Sequence, residues 1–172
     1  MKKCSLIFLF LLGADIVSKM IAIKHIPAML SRLFGYPYGG IPLFDWSGIS
    51  FSLNTIYNTG AAWGIFQGYS GLLFVLRAVI IGGLMVYLLS LHRSTENKYK
   101  FSMNTLPLWL VTIGAIGNSI DYLAYGHVVD FLHFCFWGHS FPIFNLADCY
   151  ITIGVFALLL IPRKEPLRTL EL

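Results

Sequence analysis

Charge is scarce in this chain: of its 172 residues only 12% are Asp, Glu, Lys or Arg, against roughly 25% in a soluble domain. With 57% hydrophobic residues and a mean hydropathy of +0.73, that scarcity excludes an ordinary water-soluble globule and places the chain in the membrane class. Cysteine is sparse as well. Cys4, Cys135 and Cys149 form no C-x-x-C pair and are odd in number, which argues against a disulfide framework. No internal repeat or low-complexity tract occurs. His127, His133 and His139 stand near Asp130, but without H-E-x-x-H or any other tight ligand spacing, so no metal and no other cofactor is expected.

Four apolar runs are present, at about 5–23, 71–91, 104–124 and 145–161. Each is near the ~20 residues that a hydrocarbon core of about 30 Å requires. The first follows Lys2-Lys3 in the manner of an export signal. No small-x-small cleavage site follows Leu12 and three more runs come later, so a retained span is the better reading. Lys2-Lys3, the 92–100 loop and the 163–168 tail hold most of the basic residues, while 125–144 has no lysine or arginine. The positive-inside rule then predicts both termini in the cytoplasm and the 24–70 and 125–144 segments outside, with Lys24 and Arg32 running against the trend. The formal net charge of +4 is spent beside these runs, and no nucleic-acid partner is expected.

Between about 41 and 66 the pattern changes. Phe44, Trp46, Ile49, Phe51, Leu53 and Ile56 recur among polar or small residues and precede the turn-prone Asn58-Thr59-Gly60, which predicts short strands at the membrane surface. Residues 125–144 read as a connecting loop. The expected fold is therefore a single membrane-embedded domain over 1–172, mainly α, with four transmembrane helices and a β-rich external segment.

In such a chain carboxylates are costly. A charged side chain inside a bilayer costs roughly 2.5 to 3.5 kcal/mol even on the lenient insertion scale, so intramembrane acids point to function. With the predicted topology Asp15, Lys19, Arg77, Asn118, Asp121, Asn145 and Asp148 fall at one depth, in the outer half, although snorkelling to the interface would explain Lys19 and Arg77. Asp15 and Lys19, spaced i, i+4 with the acid first, read as a structural ion pair. Gly114, Asn118 and Asp121 form a stripe on the third span. Asn118 there serves helix packing or substrate contact, and Asp121 is a third acid or a partner for Arg77 or Lys19.

Asn145 is a candidate N-cap for the fourth span, and the helix N-terminus favours an ionised Asp148 three residues later. The plainer reading is that Asp148 only caps the helix. Nothing local explains Asp130 between Val128-Val129 and Phe131-Leu132. If the two acids meet in a poorly solvated place they cannot both ionise easily, so one keeps a proton. That is the poise for water attack on an amide, one carboxylate taking a proton from water while its protonated partner polarises the carbonyl. Cys149 projects from a different helix face and is a weak nucleophile candidate. A transporter or proton relay would spread its acids along a path through the bilayer, and a non-catalytic assembly factor gives no reason for two acids outside the packing stripes.

In order, Asp15-x-x-Ser18-Lys19, Tyr57-Asn58-Thr59-Gly60-Ala61-Ala62, Gly114-Ala115-Ile116-Gly117-Asn118-x-x-Asp121, Gly126-His127-Val128-Val129-Asp130-Phe131 and Phe141-Pro142-x-Phe144-Asn145-Leu146-Ala147-Asp148 form five blocks from residue 15 onward. The sequence resembles the lipoprotein signal peptidases (signal peptidase II), aspartyl proteases of the bacterial inner membrane. The resemblance implies a catalytic dyad of Asp130 and Asp148. It implies further that Asn58, Gly60, Asn118, Asp121 and Asn145 line or support the site, and that the four helices carry a small extracytoplasmic β-cradle. The implied substrate is a diacylglyceryl-modified prolipoprotein, cut just before its lipidated cysteine. The site is expected at the outer membrane-water boundary, in contact with membrane lipid, and the oligomeric state is open, with a monomer expected. Globomycin-like cyclic peptides would be inhibitors. The chain departs from the family pattern at Tyr122, where arginine is usual, at Trp63, where phenylalanine is usual, and in a long 27–40 stretch.

Overall fold

The computed structural model describes residues 2–29, 36–60, 69–94 and 105–160. Apolar runs of the predicted lengths become helices because a chain in lipid must satisfy its backbone polar groups within the segment. They are α1 (Lys2–His25), α2 (Ser70–Ser94), α3 (Leu106–Tyr125) and α4 (Leu146–Leu160). The first three are long and apolar enough to cross a membrane; α4 is apolar but has 15 described residues. Pro107 sits in the first turn of α3, where its missing N–H costs nothing. At the other end Gly126, at φ 75°, closes α3 in a left-handed conformation and donates its N–H to the Tyr122 carbonyl.

Helix α3 is central and packs against α1, α2 and α4. Its face towards α4 admits no side chain at residue 114. A Cβ there would run into the Ala147 carbonyl, so glycine lets the two backbones touch.

The remaining elements form one antiparallel sheet in the order β1 (Ile41–Trp46), β2 (Ile49–Asn58), β3 (Val128–Phe136) and β4 (His139–Ser140). Two-residue turns join β1 to β2 and β3 to β4, with positive φ at Ser47 and Gly48 and at Trp137 and Gly138, as the twist of a tight hairpin demands. The strand expectation for 41–66 is met over β1 and β2, while 61–66 lies outside the described residues, as do Arg32, Ala61, Ala62, Trp63, Ile161 and the 163–168 tail.

The 125–144 segment is not the loop its composition suggested. Val128–Phe136 is a nearly continuous apolar run without clean alternation, which is what a strand covered on both faces looks like. One face of β3, through Val129 and Phe131, packs on Ala22 and Ile26 of α1 and its exit. The opposite face carries Asp130, Leu132, Phe134 and Phe136, and Phe134 stacks on Phe51 at 4.4 Å between ring centres.

A bulge in β2 ties the sheet to α1. Asn54 and Thr55 together oppose Phe131, because Leu53 pairs with Leu132 and Ile56 already pairs with Asp130. Freed from β3, Thr55 donates its N–H to the Pro27 carbonyl and accepts from the Met29 N–H, each at 2.9 Å. Its hydroxyl lies 3.2 Å from the Ala22 carbonyl and 3.1 Å from that of Ile26, at the end of α1. The described part of the 27–40 stretch thus has a structural task at 27–29. The bulge also brings Ile56 into register with Asp130.

Candidate active site

Helix α4 begins with a reciprocal cap. Asn145 Oδ1 accepts the Asp148 N–H at 3.0 Å, and Asp148 Oδ2 accepts the Asn145 N–H at 3.1 Å, so two donors left over at a helix start are satisfied by each other's side chains. A third, the N–H of Ala147, donates to Asp15 Oδ1 of α1 at 2.9 Å. Asp148 therefore does cap its helix. Its other oxygen, Oδ1, is left to face α3 and accepts from Asn118 Nδ2 at 2.8 Å.

Each amide at the site has its orientation fixed by a group that can only donate. Lys19 Nζ, 3.1 Å from Asn118 Oδ1, turns the Asn118 amide so that its NH2 meets Asp148. The Asp148 N–H holds Asn145 Oδ1, so the Asn145 NH2 points the other way, to Asp130 Oδ1 at 2.7 Å, with Asn118 Oδ1 and the Val129 carbonyl also in reach. The Gly60 N–H holds Asn58 Oδ1, so the Asn58 NH2 reaches Asp130 Oδ2 at 2.9 Å. Both oxygens of both carboxylates thus accept from neutral donors, and Asn145 bonds directly to both acids.

The surroundings set the protonation of Asp130. It is almost wholly buried, and that burial, followed by the negative charge of Asp148, pushes its carboxyl up to about 7; the Asn58 amide, the Lys19 charge and the Asn145 amide oppose the rise. The group is poised to hold or release a proton at neutral pH.

Behind this pair lies a charged anchor. Lys19 is 1% exposed, so it does not snorkel to an interface as its position in the sequence allowed. Its ammonium stands 2.8 Å from Asp15 Oδ2, 3.0 Å from Asp121 Oδ2 and 3.1 Å from Asn118 Oδ1, three acceptors for three hydrogens. Asp121 also accepts the Val129 N–H at 3.1 Å, which pins the start of β3 one residue before Asp130. Residue 117 must be glycine here, since a Cβ would press on the Asp15 carboxylate.

Asp15, Lys19, Asn58, Gly60, Asn118, Asp121, Asp130, Asn145 and Asp148 join one hydrogen-bonded cluster where α1, α3 and α4 meet the sheet, with Lys19 rather than Arg77 as the partner of Asp121. The three histidines scatter. His127 stacks on Tyr125 with the tilted ring of Tyr57 beside it, and His133 is buried beside Ser52, Asn54 and Ser140. Among the described residues no group of three His, Cys, Asp or Glu side chains is placed to hold a metal ion. Sequence reading missed the polar cluster around His133 entirely, since its members are spread over β2, β3 and β4. It also missed the place of Tyr122, whose ring stacks on Phe74 of α2 at 5.0 Å.

Comparison with known proteins agrees with the five blocks. The family described as signal peptidase (SPase) II matches residues 7–162. The lipoprotein signal peptidase of Chlamydia trachomatis serovar D is 35% identical over 158 residues, 90% of this chain and 87% of that protein. That of Chlamydia pneumoniae is 40% identical over 114 residues, 66% of this chain, and the match spans 65% of its own length. Among solved structures, a bacterial membrane enzyme determined by the in meso method at 2.3 Å superposes with a TM-score of 0.70 at 27% identity, covering 92% of this chain and 86% of that one. With the family profile matching nearly the whole chain, this protein belongs to the signal peptidase II family.

Proposed function

We propose that the chain is an aspartyl endopeptidase that removes the signal peptide from diacylglyceryl-modified prolipoproteins, cutting just before the lipidated cysteine. The observation that carries this reading is the shared residue: Asn145 gives its side-chain NH2 to Asp130 and its backbone N–H to Asp148, and burial beside the Asp148 charge pushes the Asp130 carboxyl up to about 7. Asp130 can therefore carry a proton at neutral pH. The proposed mechanism places that proton on Asp130 and leaves Asp148, at the start of α4, to act as the base.

The chemistry follows from that division. Asp148 takes a proton from a water molecule as the water oxygen attacks the scissile carbonyl carbon, while Asp130 gives its proton to the carbonyl oxygen. Both acids then reverse roles: Asp130 recovers a proton from the tetrahedral intermediate, Asp148 delivers its own to the amide nitrogen, and the C–N bond breaks. Water is consumed, both carboxyls return to their starting states, and no metal or nucleotide takes part. Asn58, Gly60, Asn118, Asn145 and Asp121 hold the two acids in place, and Asp15 with Lys19 anchors the network.

In the proposed arrangement all four helices span the bacterial inner membrane with both termini cytoplasmic. The sheet and the acids lie at the outer face, where lipid chains and water are both within reach. Purified protein in lipid vesicles, given a diacylglyceryl precursor, should release a product whose mass begins at the modified cysteine. Asp130→Asn and Asp148→Asn should each abolish that product while inserting normally; turnover by both variants would sink the dyad.

A further inference from the structure

Helix α2 carries a cation that the network around Lys19 leaves out. Along α2 the side chains of Leu73, Phe74, Arg77, Ile81, Met85 and Leu88 are half-buried or buried, while Leu72, Val75, Leu76 and Val79 are exposed. The less exposed set recurs at three- and four-residue steps and is therefore one helix face. That face meets α3, the helix against which α2 packs. Arg77 thus lies on the face of α2 that is turned towards α3.

Its level is set by the rungs around it. Phe74, one turn nearer the sheet, stacks on Tyr122 at 5.0 Å and 26°. Arg77 is seven residues inside the start of α2 at Ser70, and Asn118 is seven residues inside the end of α3 at Tyr125; at 1.5 Å per residue each lies about 10 Å from its helix end. Arg77 is therefore level with the amide that donates to Asp148.

At this level the guanidinium makes no ion pair and no hydrogen bond with any described residue. The contrast with Lys19, whose ammonium has two carboxylates and an amide oxygen within 3.1 Å, is direct. Five N–H donors in a fixed fork at a water-poor depth require acceptors, and these must come from outside the described chain.

We propose that Arg77 binds the ester carbonyls of the substrate's diacylglyceryl group and is a specificity-determining residue for lipidated precursors. The inference rests on the proposed peptidase reading. In a substrate cut next to its modified cysteine, the glyceryl esters lie a few bonds from the scissile amide, at the depth where Arg77 and Asn118 stand level. Two carbonyl oxygens suit a two-pronged donor, and the Phe74–Tyr122 stack forms an apolar wall above them. The other source of acceptors at this depth is a lipid phosphate.

The test compares two precursors that differ only in the glycerol linkage, one with ester-linked chains and one with ether-linked chains of the same length, in vesicles of phosphatidylcholine. Wild type should show a KM about tenfold lower for the ester form, the worth of about one hydrogen bond to a charged group. Arg77→Leu, which adds an apolar side chain to a membrane helix and so keeps insertion intact, should lose that preference with kcat nearly unchanged. Arg77→Lys, a charge without the fork, should restore part of it. Equal KM values for both linkages in wild type, or an Arg77→Leu penalty that is the same for both, would overturn the proposal and leave the guanidinium to lipid phosphate. Cleavage of neither precursor by wild type would instead overturn the peptidase reading on which it rests.

Discussion

Asn145 and Asp148 hold one another across the first turn of α4, each accepting the other's backbone N–H. The pairing does more than start a helix. Because Asn145 Oδ1 is committed to the Asp148 N–H, the NH2 of the same amide is left for Asp130 Oδ1 at 2.7 Å. A local capping device thereby sets the distance relation between two acids that are 18 residues apart in sequence.

Asn145→Ala should therefore fail in two respects. Loss of the cap and of a buried donor should destabilise the protein by about 1 to 3 kcal/mol, read as a lowered thermal midpoint in detergent. Precursor cleavage should fall much further than that stability loss accounts for, because the Asp130 carboxylate loses its Asn145 donor and the Asp148 N–H loses the oxygen that holds it. Asn145→Ser, which can still cap, should recover more of the stability than of the activity.

Asn58 gives a prediction about pH. Its NH2 stabilises the ionised form of Asp130, so it holds the Asp130 carboxyl lower than burial and Asp148 alone would. In the proposed mechanism Asp130 must carry the proton, and kcat/KM should fall as pH rises through about 7. In Asn58→Ala the carboxyl loses a donor, its pKa rises, and the alkaline limb should move to higher pH by about one unit. A limb that stays fixed or moves down would show that Asn58 does not act on Asp130.

These relations were legible in the sequence to different depths. The Asn145-x-x-Asp148 cap and the Asp15–Lys19 pair are local, spaced three and four residues apart on a helix, and could be read directly. That Lys19 also reaches Asp121 and Asn118 depends on how α1 crosses α3, which spacing along one helix does not encode. Strand β3 was hidden because a run buried on both faces loses its alternation. The Thr55 bulge was hidden because Asn54-Thr55 carries no glycine or proline to mark it. Snorkelling misjudged Lys19: with two carboxylates and an amide within 3.1 Å, a buried lysine has its charge compensated where it stands.

Lys19 should accordingly behave as an anchor. Lys19→Met would leave Asp15 and Asp121 buried without their shared cation, a change expected to cost about 3 to 5 kcal/mol. Adding Asp15→Asn and Asp121→Asn to that variant removes the stranded charges and should recover much of the loss. Thermal unfolding of the single and triple variants in the same detergent reads the difference; a triple variant no more stable than Lys19→Met would contradict the anchor role.

The central claim is that Asp130 and Asp148 form one titrating unit. Infrared titration of the protein with 13C-labelled aspartate, in wild type and in Asp130→Asn to assign the band, follows the Asp130 carboxyl itself. The account predicts a midpoint near 7 in wild type, and a lower midpoint in Asp148→Asn, where the neighbouring negative charge is gone. A wild-type midpoint in the ordinary carboxylate range near 4, or one that does not respond to Asp148→Asn, would contradict it.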